Sequence, residues 1–429
     1  MNRYKNFIFK SYGLEGKTLN LNYSLDNKLD FAETYTFDFD FTDYDPNSLD
    51  RACQLLFFMA GVSYYKTYLP TELTVEAGRL DKHTAGFLSD AYQKGLREFF
   101  YINKLDPNTP VNFTPNVEGD LPELHTDNAK GLLVGIGGGK DSLVSVDALK
   151  DEVPGVTTWS VGHRKQLEPL VNRIGLKHYW VDRQWDRKLL ELNKEGALNG
   201  HVPISAILAC VGTVVAILSG CRDVVVSNEH SANEPTLHYQ GVEVNHQYSK
   251  SEEFEEKYQR LLQQNFGDSL RYYSFLRPLS EVRIAEIFAK QGFDKYKDVF
   301  SSCNRAFTHD SPGLYWDGSC PKCAFVFMAL TPFLDREKLE NLFSGKNLLL
   351  DPDLESTYKN LLGIEGEKPL ECVGEVKESR SAMEMAKRIY PQLEKYRYEL
   401  PIGYDYRALS SHSMPPEISE ILTKFLKQF

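Results

Sequence analysis

Little in this chain points to an oxidised or exported protein. Seven cysteines in 429 residues is a low, odd number with no regular spacing, which excludes a disulfide framework and fits a reducing cytosol. The first ten residues mix Arg3, Lys5 and Lys10 with aromatics and lack the apolar stretch of a signal peptide, so a cytoplasmic location is expected. A basic excess is missing as well. Lys and Arg number 49 against 60 Asp and Glu, a formal charge of −11, and no Lys/Arg-rich aromatic stripe occurs, which counts against nucleic acid as a partner. There is no internal repeat and no low-complexity tract. What remains is ordinary globular composition, 42% hydrophobic and 25% charged, at a length suited to two or three domains.

One stretch approaches a membrane span: residues 196–221 carry no Asp, Glu, Lys or Arg. Ser205, Gly212, Thr213 and Ser219 interrupt it, and the strand-like Asp223-Val-Val-Val follows at once. It therefore reads as a helix buried against an α/β sheet, and no membrane insertion is expected.

The chain divides into four parts. Residues 1–105 read as an α+β module, with Leu19, Leu21, Tyr23, Leu25 and then Tyr35, Phe37, Phe39, Phe41 alternating as in antiparallel strands, followed by helices near 48–65 and 84–101. Residues 106–129, with Pro107, Pro110, Pro115 and Pro122, form a linker. Over 130–350, short apolar strands at 131–136, 156–161, 178–182 and 223–227 alternate with helices, which predicts a parallel, doubly wound α/β core. Residues 351–429 read as a C-terminal extension without a defined fold, with helical stretches at 381–390 and 416–426.

The sharpest feature is Val134-Gly-Ile-Gly137-Gly138-Gly139-Lys140-Asp141-Ser142, where a buried strand enters three glycines and leaves as a helix. Converging N–H groups and a helix N-terminus make this an anion cradle. The Walker A pattern fails at Val134 and Asp141, and the dinucleotide fingerprint fails at Lys140 or Ser142, depending on where it is started. The string resembles the PP-loop of the N-type ATP pyrophosphatases, Ser-Gly-Gly-x-Asp-Ser/Thr, with Gly137 in place of the first serine. The resemblance implies an adenine nucleotide alpha-hydrolase-like fold and cleavage of ATP, with Mg2+, between its α- and β-phosphates. It implies that Gly137, Gly138 and Gly139 wrap the pyrophosphate, that Lys140 offsets leaving-group charge and that Ser142 donates a hydrogen bond. Asp141 would orient the loop or a magnesium ion. Adenine would then lie over Ser160, Val161 and Gly162, with Asn228 and Glu229 across the sheet.

Two polar strings, Ser227-Asn-Glu-His-Ser-Ala-Asn233 and Val244-Asn-His-Gln-Tyr-Ser-Lys250, flank the end of a buried strand. They offer Glu229, His230, His246, Tyr248 and Lys250 as acids or bases, or read as solvated loops. Arg277 in Arg-Pro-Leu-Ser-Glu faces a nucleotide in PP-loop enzymes and is here either such a residue or a surface group before a helix. Cys303, Cys320 and Cys323 could supply three thiolates to zinc, with Cys372, His309 or Asp317 as the fourth ligand, or be reduced structural thiols; a redox or proton-transfer thiol is a further reading. Cys53, Cys210 and Cys221 lie in apolar stretches and belong to the core.

Taken together, Gly-Gly-Gly-Lys-Asp-Ser, Asn-Glu-His-Ser-Ala-Asn, Val-Asn-His-Gln-Tyr-Ser-Lys-Ser, Arg-Pro-Leu-Ser-Glu, Ser-Cys-Asn and Cys-Pro-Lys-Cys-x-Phe resemble the MurL family of bacterial epimerases. That family acts on UDP-N-acetylmuramoyl-L-alanyl-L-glutamate. The resemblance implies an epimerase of peptidoglycan precursor synthesis that adenylates the glutamate α-carboxylate, inverts the now acidic α-carbon and releases AMP and pyrophosphate. The acid/base groups would come from Glu229, His246, Tyr248, Lys250 and Cys303, and the nucleotide-sugar dipeptide would need a long cleft. Two other readings stand beside it: a different PP-loop adenylating enzyme (amide or nitrile forming, or tRNA thiolating), and an ATP-binding regulator that has lost catalysis with its loop serine. Oligomeric state leaves no mark in the sequence.

Overall fold

The early alternation folds into strands through Phe37, while Phe39 and Phe41 lie beyond the strand's end at Asp38. In the computed structural model, which describes residues 3–126, 129–307, 311 and 313–429, β1 (Asn6–Glu15), β2 (Thr18–Leu25) and β3 (Leu29–Asp38) form an antiparallel meander. Asp26 and Asn27, both at φ 54°, supply the left-handed turn between β2 and β3 that these residue types tolerate. A short strand, β4 (Glu72–Val75), adds in parallel beyond β1.

The apolar runs downstream become β5 (Leu132–Gly135), β6 (Val156–Val161), β7 (His178–Gln184), β8 (Asp223–Val226) and, after the small hairpin of β9 (Leu237–Tyr239) and β10 (Val242–Val244), β11 (Arg271–Ser274). The five long-range partners β11, β8, β5, β6 and β7 are parallel. The resulting sheet has nine strands in the order β11-β8-β5-β6-β7-β3-β2-β1-β4. The protein is thus α/β with a large, mostly parallel sheet at its centre.

Both faces of the sheet are buried, as parallel strands require. Leu133, Trp159, Tyr179 and Val224 face one core, which contains the helix Ile204–Ser219 and the aromatic interior of the first hundred residues. Leu132, Val134, Val156, Val225 and Tyr273 face the other, built from the helices Lys140–Leu149, Glu281–Ile287 and Pro321–Leu330 with the C-terminal segment. The uncharged run is therefore an interior helix, covered by the helix Pro46–Ala60. Among the described residues, no helix is long and apolar enough to cross a membrane.

Two expectations change. The first hundred residues do not stand apart, because β3 pairs antiparallel with β7, Asp38 opposite Trp180, and so lengthens the central sheet. Alternation marks a strand's faces but is silent on what its edges pair with. The C-terminal segment is ordered: the helices Val376–Lys387 and Pro416–Leu426 bury Met383, Ala386, Ile418 and Leu422 in the second core. Its prolines and tyrosines punctuate short helices. The proline-rich string runs without helix or strand among its described residues, strapped down where the Leu124 N–H donates to the Asn265 carbonyl (2.8 Å).

Candidate active site

The glycine loop leaves β5 where the strand order reverses, between β6, which follows it in the chain, and β8, which comes later. That crevice at the carboxyl ends is where open α/β sheets bind ligands. Gly139 precedes the helix Lys140–Leu149 and no side chain caps that helix, so its first N–H groups are left for an anion. Gly138 has φ +93°, and a Cβ there would stand 2.8 Å from Phe307 Cζ and 3.1 Å from the Ser301 carbonyl oxygen. A Cβ on Gly137 would meet nothing within 4 Å. The loop is held from behind by Ser301, whose N–H donates to the Gly138 carbonyl (2.9 Å). Gly138→Ala is therefore expected to collapse the cradle, at a strain cost of about 1–3 kcal/mol. Calorimetric titration with a non-hydrolysable ATP analogue, giving unchanged affinity, would discard this account of the loop.

Lys140 does not point to solvent. Its ammonium, 2% exposed, lies between Asp141 and Glu281, and the second oxygen of Glu281 is 3.5 Å from the Lys322 ammonium. Burial alone would raise the Glu281 carboxyl, but Lys140 and Lys322 bring it down to about 2. The backbone N–H groups of Glu281 and Glu375 both donate to the carboxyl of Glu378 (3.0 and 2.9 Å), which burial and the Glu375 and Glu281 carboxylates push well up. Glu229 is buried nearby, its carboxyl raised by desolvation and by Glu281, with the Ser231 hydroxyl donating at 3.4 Å.

A second group of charges adjoins these. The Lys250 ammonium donates to Cys372 Sγ at 3.2 Å, and the His246 ring, hydrogen-bonded through Nδ1 to Glu98, lies on the same thiol. Burial pushes Cys372 up, but Lys250 and His246 bring it down to about 6. Burial likewise opposes the His246 charge, and Cys372 with Glu98 nonetheless raises it to about 9. The His201 ring lies tilted against His246, their centroids 4.6 Å apart, and is held low, to about 4, by burial. Glu371 ties the groups together by accepting the Lys322 N–H (3.1 Å).

Of the residues proposed from sequence, Lys140, Asp141, Glu229, His246 and Lys250 are thus brought together, and the others are placed differently. Ser142 donates back to the Gly139 carbonyl (3.2 Å). Ser160 shares a hydrogen bond with His178 Nε2 (2.9 Å), Gly162 (φ +63°) follows the end of β6, and the Asn228 carbonyl accepts from Ser274 (2.6 Å) beyond β8. Tyr248 turns away, its hydroxyl on Asp90 (2.9 Å), and lines a cavity of about 430 Å³ with Lys94, Arg97, Asn233 and Asn245. Arg277 is a correction. It is fully buried, ion-paired to Glu255 (2.7 Å) and donating to the carbonyls of Glu229 (2.7 Å) and Lys250, so it sets the backbone of the site and has no free face for a nucleotide. Glu98, Glu281, Lys322 and Cys372 as an ionisable group escaped the sequence reading. Lys322 sits inside Cys-Pro-Lys-Cys and Glu281 ends Arg-Pro-Leu-Ser-Glu, which were the signals available.

Cys303 belongs elsewhere than the acid/base set. Its Sγ, those of Cys320 and Cys323, and an oxygen of Asp317 all lie within 4.8 Å of one another. Three buried thiols and one carboxylate make a donor set suited to tetrahedral zinc. Asp317 completes it; Cys372 lies instead against Lys250, and His309 lies outside the described residues.

Residues 1–275 match the family model described as the MurL N-terminal domain and residues 299–396 that of the MurL C-terminal domain. A UDP-N-acetyl-alpha-D-muramoyl-L-alanyl-L-glutamate epimerase of Xanthomonas oryzae pv. oryzae is 40% identical over 338 residues, 78% of this chain and 74% of that protein. Proteins of the same name from Salinispora tropica and a Micromonospora species are 40% identical over 345 residues (79% of this chain, 73% of theirs) and 38% over 395 (88% and 86%).

Proposed function

The chain belongs to the MurL family and is an isomerase, and from that premise we propose that it inverts the terminal L-glutamate of UDP-N-acetylmuramoyl-L-alanyl-L-glutamate through an ATP-derived acyl adenylate, releasing AMP and pyrophosphate. The observation that carries the ATP step is the buried Lys140, fixed by Asp141 and Glu281 at an uncapped helix N-terminus behind three glycines. An α-hydrogen beside a carboxylate is very weakly acidic, since its loss piles charge next to an anion. Adenylation removes that charge and opens the enolate. The loop N–H groups and Lys140 meet the charge that develops on the departing pyrophosphate. Magnesium, when bound, would neutralise phosphate charge, and Asp141, the partly exposed carboxylate at the head of the helix, is the residue beside the loop that would hold it. A place in peptidoglycan precursor synthesis in the cytoplasm follows from the substrate.

The test is AMP and pyrophosphate release from ATP, magnesium and the UDP-muramoyl dipeptide in deuterated water, with mass analysis of the recovered peptide. Substrate-dependent AMP with one deuterium gained at the glutamate α-carbon is expected. AMP without deuterium would favour another PP-loop adenylating enzyme, and ATP binding without AMP a regulator.

The proposal includes a structural zinc ion at Cys303, Asp317, Cys320 and Cys323. The purified protein is expected to carry equimolar zinc by elemental mass spectrometry, and Cys320→Ser to lose it together with thermal stability. A native chain free of zinc would remove the ion from this account.

A further inference from the structure

Of the seven cysteines, Cys372 alone is not fully buried. Cys53, Cys210 and Cys221 are packed among apolar side chains, and Cys303, Cys320 and Cys323 face one another. Cys372 instead meets two groups able to carry positive charge, the Lys250 ammonium at 3.2 Å and the His246 ring, whose Nδ1 is hydrogen-bonded to Glu98. These partners come from three distant parts of the chain, Glu98 from the first hundred residues, His246 and Lys250 from the loop after β10, and Cys372 from the segment leading into the helix Val376–Lys387. A resting structural thiol has no use for two cations, whereas a thiolate needs them.

The thiol is also joined to the nucleotide side. Its neighbour Glu371 accepts the Lys322 N–H, Lys322 faces Glu281, and Glu281 holds Lys140 at the glycine loop. Glu371, Lys322 and Glu281 thus join the segment that carries Cys372 to the glycine loop.

We propose that Cys372 is a catalytic acid/base residue of the epimerisation, taking and returning the α-proton of the activated glutamyl group on one face, with Lys250 and His246 as its positioning residues. This rests on the epimerase reading above. In the forward step the Cα–H bond breaks, the proton goes to Sγ as the S–H bond forms, and the electron pair moves onto the acyl oxygen as an enolate. The enolate then collapses by taking a proton at Cα on the opposite face from a second acid of the site. Exchange of the thiol and of that acid with water restores both. The low thiol value is what such a base requires near neutral pH, since only the thiolate accepts a proton.

Full-length wild type, Cys372→Ala and Cys372→Ser, each checked for a native melting transition, are incubated with ATP, magnesium and the UDP-muramoyl dipeptide in deuterated water. Both variants are expected to keep releasing AMP while α-deuterium incorporation falls roughly 10³-fold. Retained deuterium incorporation overturns the proposal, and so does a parallel loss of AMP and deuterium, which would make Cys372 part of the adenylation machinery. If wild type incorporates deuterium without AMP, the adenylate reading fails and the variants still judge Cys372. An arm independent of substrate maps iodoacetamide labelling by peptide mass. Cys372 is expected to be alkylated well ahead of Cys53 and Cys210, and Glu98→Gln to slow it by freeing His246. Equal labelling of the three thiols overturns the proposal.

Discussion

Lys140→Met is expected to lower AMP release roughly 10²- to 10³-fold and to cost about 3 kcal/mol of stability, the low end for breaking a buried ion pair. The two effects share one cause. Lys140 is the buried partner of Glu281, and its removal leaves a desolvated carboxylate without its closest cation, Lys322 standing 3.5 Å from its other oxygen. They separate in the double variant Lys140→Met/Glu281→Gln, in which the Glu281 carboxylate is no longer left without Lys140: urea unfolding should recover part of the lost stability, Lys322 having lost its own partner in turn, while AMP release stays low. Wild-type turnover in the single variant would remove Lys140 from the chemistry. A double variant no more stable than the single one would show that the pair is not the source of the loss.

Arg277→Leu is expected to act first on stability, by about 3–5 kcal/mol, and on turnover only through the backbone of Glu229 and Lys250 that it holds. Its guanidinium holds Glu255 through Nε and Nη2 (3.0 and 2.7 Å), and the same carboxylate also accepts the Ser274 N–H at 3.0 Å. Without the arginine, Glu255 is buried and unpaired, and the carbonyls of Glu229 and Lys250 lose their donor. Arg277→Leu/Glu255→Leu should be less damaged than the single variant in chemical denaturation. A raised KM for ATP at unchanged stability would restore Arg277 to the nucleotide.

What the sequence discloses follows from range. Apolar runs such as 132–135 and 223–226 announce buried strands, and Gly137-Gly-Gly before Lys-Asp-Ser announces the loop, because each is written in consecutive residues. The partners of Lys140 and Cys372 are not. Glu281 and Lys250 lie more than a hundred residues from the groups they pair with, and an ion pair at that separation imposes no spacing on the chain. Arg277 shows the same limit from the other side: its motif was visible, but whether its charge met a ligand or a buried glutamate was decided by Glu255. Cys372 read as a spare zinc ligand because a thiol beside two cationic groups and a thiol on a metal look alike in one dimension.

The pairing of β3 with β7 also bears on how the chain is made. The first three strands emerge from the ribosome about 140 residues before β7, their partner at Asp38 and Trp180, has been synthesised. Until then β3 carries an unpaired edge, and the helix Pro46–Ala60 waits for the helix Ile204–Ser219 that covers it. The nascent N-terminal region is thus a natural client for a holding chaperone, and a stalled or truncated message would release an aggregation-prone fragment rather than a folded cap.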